Sequence, residues 1–269
     1  MKKLILILFV ALLAVPGISI AQKKETRNVS GFTSLNFGVP GTVTVRQGNT
    51  ESVILEGDPE VLEHVKTEVK GGRLHIVPEE NWRSWKSRRV TAQVTMKSIE
   101  GLGVSGSGNL KSEGTLRAND VDLWVSGSGS MDVDVEASGE MEARVSGSGR
   151  MEVNGKCAEL EGVCSGSGDL ELALGSMREA EITVSGSGSV KVSGSTDTAE
   201  ISLSGSGKLH GSNFNTRVAE IRITGSGDVE IAASEEIDAH ITGSGTVLYK
   251  GNPSKVNSVS TGSGKVRKL

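Results

Sequence analysis

EITVSGSGSVKV, Glu181–Val192, is the stretch on which the fold turns. Apolar Ile182 and Val184 alternate with polar neighbours up to a Ser-Gly-Ser-Gly tetrapeptide, and Val190 and Val192 resume the alternation beyond it. Period-2 alternation turns one face of an extended strand inward. Gly reaches positive φ without steric cost, so the tetrapeptide can bend the chain sharply. The stretch reads as strand, corner, strand. Ser/Thr-Gly-Ser-Gly occurs nine times, starting at residues 105, 126, 146, 165, 185, 204, 224, 242 and 261. Successive starts are 21, 20, 19, 20, 19, 20, 18 and 19 residues apart. A fixed period of this length marks stacked coils, whereas a Gly/Ser linker has neither regular spacing nor ordered flanks.

The flanks repeat as well. Val104, Val125, Val145, Cys164, Val184, Leu203, Ile223, Ile241 and Ser260 stand immediately before the motifs. Leu110, Met131, Met151, Leu170, Val190, Leu209, Val229, Val247 and Val266 stand two residues after them. With coils ~4.8 Å apart, such positions stack into columns, and the core becomes continuous only through stacking. The fold class expected is all-β, a parallel β-solenoid with about 20 residues per coil. The central Ser of each motif, Ser187 among them, is expected to form a hydroxyl ladder from coil to coil. A third, less regular side would point Leu116, Ala137, Cys157, Met177 and Thr196 inward.

The chain divides into three parts. Lys2 and Lys3, the apolar run Leu4–Val15, and small residues at Ser19 and Ala21 read as a signal peptide over residues 1–22. That run is too short to span the ~30 Å hydrocarbon core of a membrane. Residues 23–100 lack the motif. Segments 41–46, 52–56, 73–77 and 90–96 alternate like strands, and Asp58-Pro59 opens a short helix expected over Glu60–Lys66. This part is expected to open the solenoid and cap it, with the repeat part at 101–269. The chain carries 29 Lys+Arg against 33 Asp+Glu, and removal of Lys2 and Lys3 takes its net charge from −4 to −6. Nucleic-acid binding needs a basic field, so that class is set aside. Aromatics are 3% of residues, so the core must be narrow and aliphatic.

The chain resembles the bacterial auto-transporter adhesin head GIN domain family. The resemblance rests on Thr67-Glu-Val-Lys-Gly-Gly-Arg-Leu-His-Ile76, on the strand Val90–Met96, on Ile99-Glu-Gly-Leu-Gly-Val104 and on the Ser-Gly-Ser-Gly units that follow. It covers about residues 27–266. It implies a right-handed parallel β-helix-like fold on an exported protein, and it implies no catalytic residue set. A translocator barrel would need many ~10-residue amphipathic strands at the C-terminus, where this chain has solenoid repeats.

Two groups of residues stand out as candidate sites. Four positions before successive motifs lie Asp122, Glu142, Glu161, Glu181, Glu200, Glu220 and Asp238, on the outward phase of the strand. Carboxylates ~4.8 Å apart in water repel by roughly 1 kcal/mol per contact. Solvent, cation contact, or Arg144, Arg222 and His240 on the same face would have to relieve this. The second group is Trp82, Arg83, Trp85, Lys86, Arg88 and Arg89, where aromatic faces and cations suit a glycan or an anionic polymer. The alternative for this group is an exposed connection whose Trp residues cover the solenoid end. Cys157 and Cys164 read as free buried thiols. His64, His75, His210 and His240 show no ligand spacing, so neither metal site nor cofactor is expected.

The function expected is that of a non-enzymatic exported protein, adhesin-like or structural, that presents an extended face to a glycan or to a cell-surface or matrix polymer. Periplasm, outer-membrane surface and medium all remain open as locations, and no transmembrane anchor is expected in the mature chain. The other reading is a polysaccharide-binding or polysaccharide-active β-helix protein. Catalysis needs a cleft for an acid and a base, and spacings of 18 to 21 residues leave no long inserted loop to build one. Ice binding through Ser/Thr ladders is disfavoured, because the hydroxyls sit on corners.

Overall fold

A computed structural model describes residues 22–80, 82, 85 and 88–269. The signal-peptide reading therefore falls outside the described residues except at Gln22, as do Arg83 and Lys86. The chain is 73% strand and 2% helix and winds as a β-solenoid of about 8 turns. Coils are built as the alternation requires. A strand ending in the first half of the motif lies on one wall: β8 (Gly101–Gly106), then β11 (Val121–Gly127), β13 (Glu140–Gly147) and β15 (Glu159–Gly166). A strand starting after the motif lies on the second wall: β9 (Asn109–Ser112), then β12 (Ser130–Ala137) and β14 (Arg150–Lys156). All these neighbours pair in parallel. β10 (Leu116–Ala118) pairs with the end of β12 and begins a third side. Four longer strands then bend around that side and contribute to both walls: β16 (Asp169–Gly186), β17 (Ser189–Gly205), β18 (Lys208–Gly225) and β19 (Asp228–Gly243). β20 (Thr246–Lys250), β21 (Lys255–Gly262) and β22 (Lys265–Lys268) complete the stack.

The inward columns stay in register from coil to coil. Val104, Val125, Val145, Cys164, Val184, Leu203, Ile223 and Ile241 lie side by side, none more than 3% exposed. Burying side chains of this size contributes roughly 1.5–3 kcal/mol each. Leu116, Ala137, Cys157, Met177 and Thr196 line the third side and are buried, as expected.

The corner depends on backbone contact. At Gly186 φ is 108°, and a Cβ there would lie 2.5 Å from the Gly166 carbonyl oxygen of the preceding coil. At Gly188 a Cβ would come within 2.6 Å of Cys164 Sγ in the core. The close approach lets the Ser187 amide donate to the Gly166 carbonyl at 2.9 Å, and the Ser189 amide to the Gly168 carbonyl at 3.0 Å. The corner ladder is thus made of amides. The expected hydroxyl ladder is not formed: the central Ser residues are exposed, and among the described residues none of their hydroxyls bonds to another. A Ser on a corner of high curvature points away from the stack and into water.

The segment before the repeats enters the same stack in an unexpected order. β2 (Ser34–Phe37) and β3 (Gly41–Gln47) form a coil directly against β8 and β9. On its other face lie β6 (Arg73–Pro78) and β7 (Val90–Met96), which come later in the chain. Beyond them, antiparallel strands close the end: β5 (Val65–Lys70) on β6, β4 (Ser52–Gly57) on β7, and β1 (Lys23–Arg27) on β4. The helix α1 (Pro59–Glu63) starts as expected, with Asp58 accepting from the Glu60 amide. It ends at Glu63, short of Lys66. Val65 is buried, and Val65–Lys70 zips onto β6 through the Gly71-Gly72 turn, whose φ values are 57° and 75°. A helix of one turn has no stability of its own to resist this pairing.

Candidate functional site

The carboxylates from Asp122 to Asp238 stand in unbroken register across seven coils. The column beside them decides their electrostatics. Arg144 reaches Asp122 at 3.2 Å and also pairs with Glu142. Arg222 lies 3.5 Å from Glu220, and His240 3.1 Å from Asp238. Between these, the neighbouring column carries Val163, Thr183 and Ser202, and Glu161, Glu181 and Glu200 have no cationic partner among the described residues. Glu179, on the same outward face, has none either. Among the described residues no three His, Cys, Asp or Glu side chains are grouped so as to hold a metal ion.

The second wall is organised in the opposite way. There, successive coils set unlike charges side by side: Arg150 with Asp169 at 3.1 Å, Lys191 with Glu171 at 2.5 Å, and Lys208 with Asp228 at 3.6 Å. Opposite charges on adjacent strands stabilise a sheet and like charges weaken it. A like-charged run exists on this wall too, Asp132, Glu152 and Glu171, but it is shorter and bracketed by Lys111 and Lys191, whereas the first wall carries carboxylates in all seven coils.

The tryptophan group sits where coil β6–β7 would have its corner. Trp82 and Trp85 are partly buried against the core, in edge contact at 4.6 Å, and His64 stacks on Trp82 at 5.0 Å. Arg88 pairs with Glu60 at 2.6 Å and Asp58 at 3.2 Å. Arg89 is exposed. In this arrangement Trp82, Trp85 and Arg88 tie the connection to α1 and the solenoid end. Sequence reasoning passed over Trp124, whose ring lies on the outward face above Gly103 with Arg73 over it at 4.5 Å. The signal was the pair Gly101 and Gly103, which clears two outward positions for an indole. Cys157 and Cys164 are free and buried. Burial pushes the Cys157 thiol up to about 11, and burial, then nearby Asp169, raise that of Cys164 against an opposing hydrogen bond from the Ser189 amide.

Comparisons place this architecture among known proteins. No curated protein matches the chain significantly. Among solved structures, a "putative adhesin" from Parabacteroides distasonis superposes with a TM-score of 0.72 at 19% identity, covering 93% of this chain and 98% of that one. A "putative lipid binding protein" from the same organism gives 0.69 at 23% identity, over 92% and 96% of the two chains. A "putative adhesin" from Parabacteroides merdae gives 0.66 at 18% identity, again over 92% and 96%. At these identities the likeness is one of fold. The family described as "Putative auto-transporter adhesin, head GIN domain" matches in sequence over residues 31–192 and 158–253. Those spans take in nearly every coil and the interleaved opening of the stack, and the chain belongs to that family.

Proposed function

We propose that the protein works outside the cytoplasm as an adhesin-like binding protein without catalytic activity, meeting an extended cell-surface or matrix polymer along its carboxylate-bearing wall. One observation carries this reading: the carboxylates keep register over seven coils, and Glu161, Glu179, Glu181 and Glu200 are left without a cation among the described residues, while on the opposite wall Arg150, Lys191 and Lys208 each reach a carboxylate of a neighbouring coil. A flat stripe of one sign costs stability inside the fold and is matched by a partner that repeats along its length. The partner on this wall is cationic, and contact weakens with salt.

The test is binding of the purified protein to immobilised chitosan and to a neutral glucan at low and at physiological ionic strength. Salt-sensitive capture by chitosan alone is expected, with loss on combined Glu161→Gln, Glu181→Gln and Glu200→Gln. Equal capture of that triple variant, or no capture at low salt, would overturn the reading. Release of oligosaccharide products from a polysaccharide panel would refute the non-catalytic part.

A further inference from the structure

The coil formed by β19 is the tightest of the series. The motifs that bound it start 18 residues apart, against 20 in the coil before it and 19 in the coil after. The difference falls on the third side. Pairing of β18 with β19 runs to Gly211↔Ile231 and resumes at Asn215↔Ala232, so Ser212, Asn213 and Phe214 have no counterpart. Phe214 is fully buried and props the wide coil outward. On the far side the chain passes through Lys250, Gly251 and Asn252, and a Cβ on Gly251 would lie 2.1 Å from the Ala233 carbonyl oxygen, so that wall rests directly on the narrow coil. A narrow coil between two wider ones leaves a notch of about 600 Å³, floored by Ala232 and Ala233 and walled by Asn215, Arg217 with its partner Glu235, Lys250 and Asn252.

The chemistry of the notch is unlike that of the carboxylate wall. Arg217 is taken up by Glu235 at 2.8 Å and Asp197 at 3.8 Å. Lys268 holds Asn252 at 2.5 Å. Lys250 and the Asn215 amide have no side-chain partner among the described residues. An unpaired ammonium, with a second one close by, makes a local positive spot on a chain of net charge −4. Amide groups beside it bond hydroxyls in either sense, and a floor of small side chains admits a ring closely. Insertions within a repeat often form the binding face of a solenoid, and the three extra residues Ser212, Asn213 and Phe214 border this notch.

We propose that this notch binds a carboxylated sugar unit of a polysaccharide, its carboxylate on Lys250 and its hydroxyls on the Asn215 and Asn252 amides. The site is independent of the carboxylate wall, which prefers the opposite charge. The test is a calorimetric titration of the full chain, leader removed, with tetragalacturonate, maltotetraose and acetate. Saturable binding of tetragalacturonate alone is expected, weakening as salt rises. Lys250→Ala should weaken it about fivefold, Lys250→Arg should keep most of it, and Ser234→Trp should block the notch. These positions are exposed, and unchanged thermal melting will show that the variants fold. The proposal is overturned by equal affinity for maltotetraose, by full competition from acetate at matched concentration, by unchanged affinity in both Lys250→Ala and Ser234→Trp, or by no binding at all. None of these results touches Glu161, Glu179, Glu181 or Glu200.

Discussion

At Gly186 two separate demands meet, a positive φ and a carbonyl oxygen where a Cβ would stand. Gly31 shares only the first: its φ is 76°, and nothing lies within 4 Å of its Cβ position. Gly186→Ala should therefore cost about 2 kcal/mol or more and Gly31→Ala about 1 kcal/mol. Urea unfolding of both variants checks this; equal losses would mean that the corner contact is unimportant. Cys157 offers a second test. Its folded pKa of about 11 lies above the unfolded value of ~8.5. The folded state therefore holds the proton longer. The thiol's contribution is complete below the unfolded value and fades as pH rises towards 11, by an amount on the order of 2 kcal/mol. Cys157→Ala should flatten the fall in stability between pH 8 and 10.5, read by denaturant titration at both ends.

Glu181 stands between like charges of the adjacent coils on one wall, and Lys191 pairs across coils with Glu171 on the other, so their responses to salt should differ. Glu181→Gln removes two repulsive contacts and should stabilise the protein by a few tenths to about 1 kcal/mol at low ionic strength, the gain vanishing in 1 M salt. Lys191→Gln, which breaks a cross-coil pair, should do the reverse. Paired thermal melts at two salt concentrations decide it. The ladder was legible because outward positions recur at a fixed offset from a fixed motif. β2 and β5 were not. β2 offers only Leu35 and Phe37 as inward residues, too short a pattern to read, and the partner of β5 is set by the Gly71-Gly72 turn. The notch escaped for a related reason. A spacing of 18 is visible in the sequence, but whether two missing residues shorten a wall or a corner depends on where the pairing slips.

Each repeat coil touches only its neighbours, so the molecule as a whole should accept the loss of one. Deleting residues 169–188 joins Gly168 to Ser189 in place of Gly188 and restores the motif context. The shortened protein should still melt cooperatively with β circular dichroism, while deletion of 169–178 should not fold. Loss of structure in the first deletion would show that the coils are not interchangeable. The opening of the stack does not share this modularity, because β2–β3 lies between β6–β7 and β8–β9. That interleaving gives the molecule a mechanical polarity. Tension on the last strands can lift coils away singly, each lengthening the chain by about 6–7 nm. Tension on the first strands strips the edge strand β1 from β4 and then meets the β2–β3 coil, gripped on both faces, which cannot leave until a later part of the chain has moved. In an optical trap, a handle at the C-terminus should give a staircase of small, regular steps, and a handle at residue 23 one short early step as β1 leaves, then a single larger rupture. A protein tethered by its N-terminal end would hold its anchorage under load while its far end unreels.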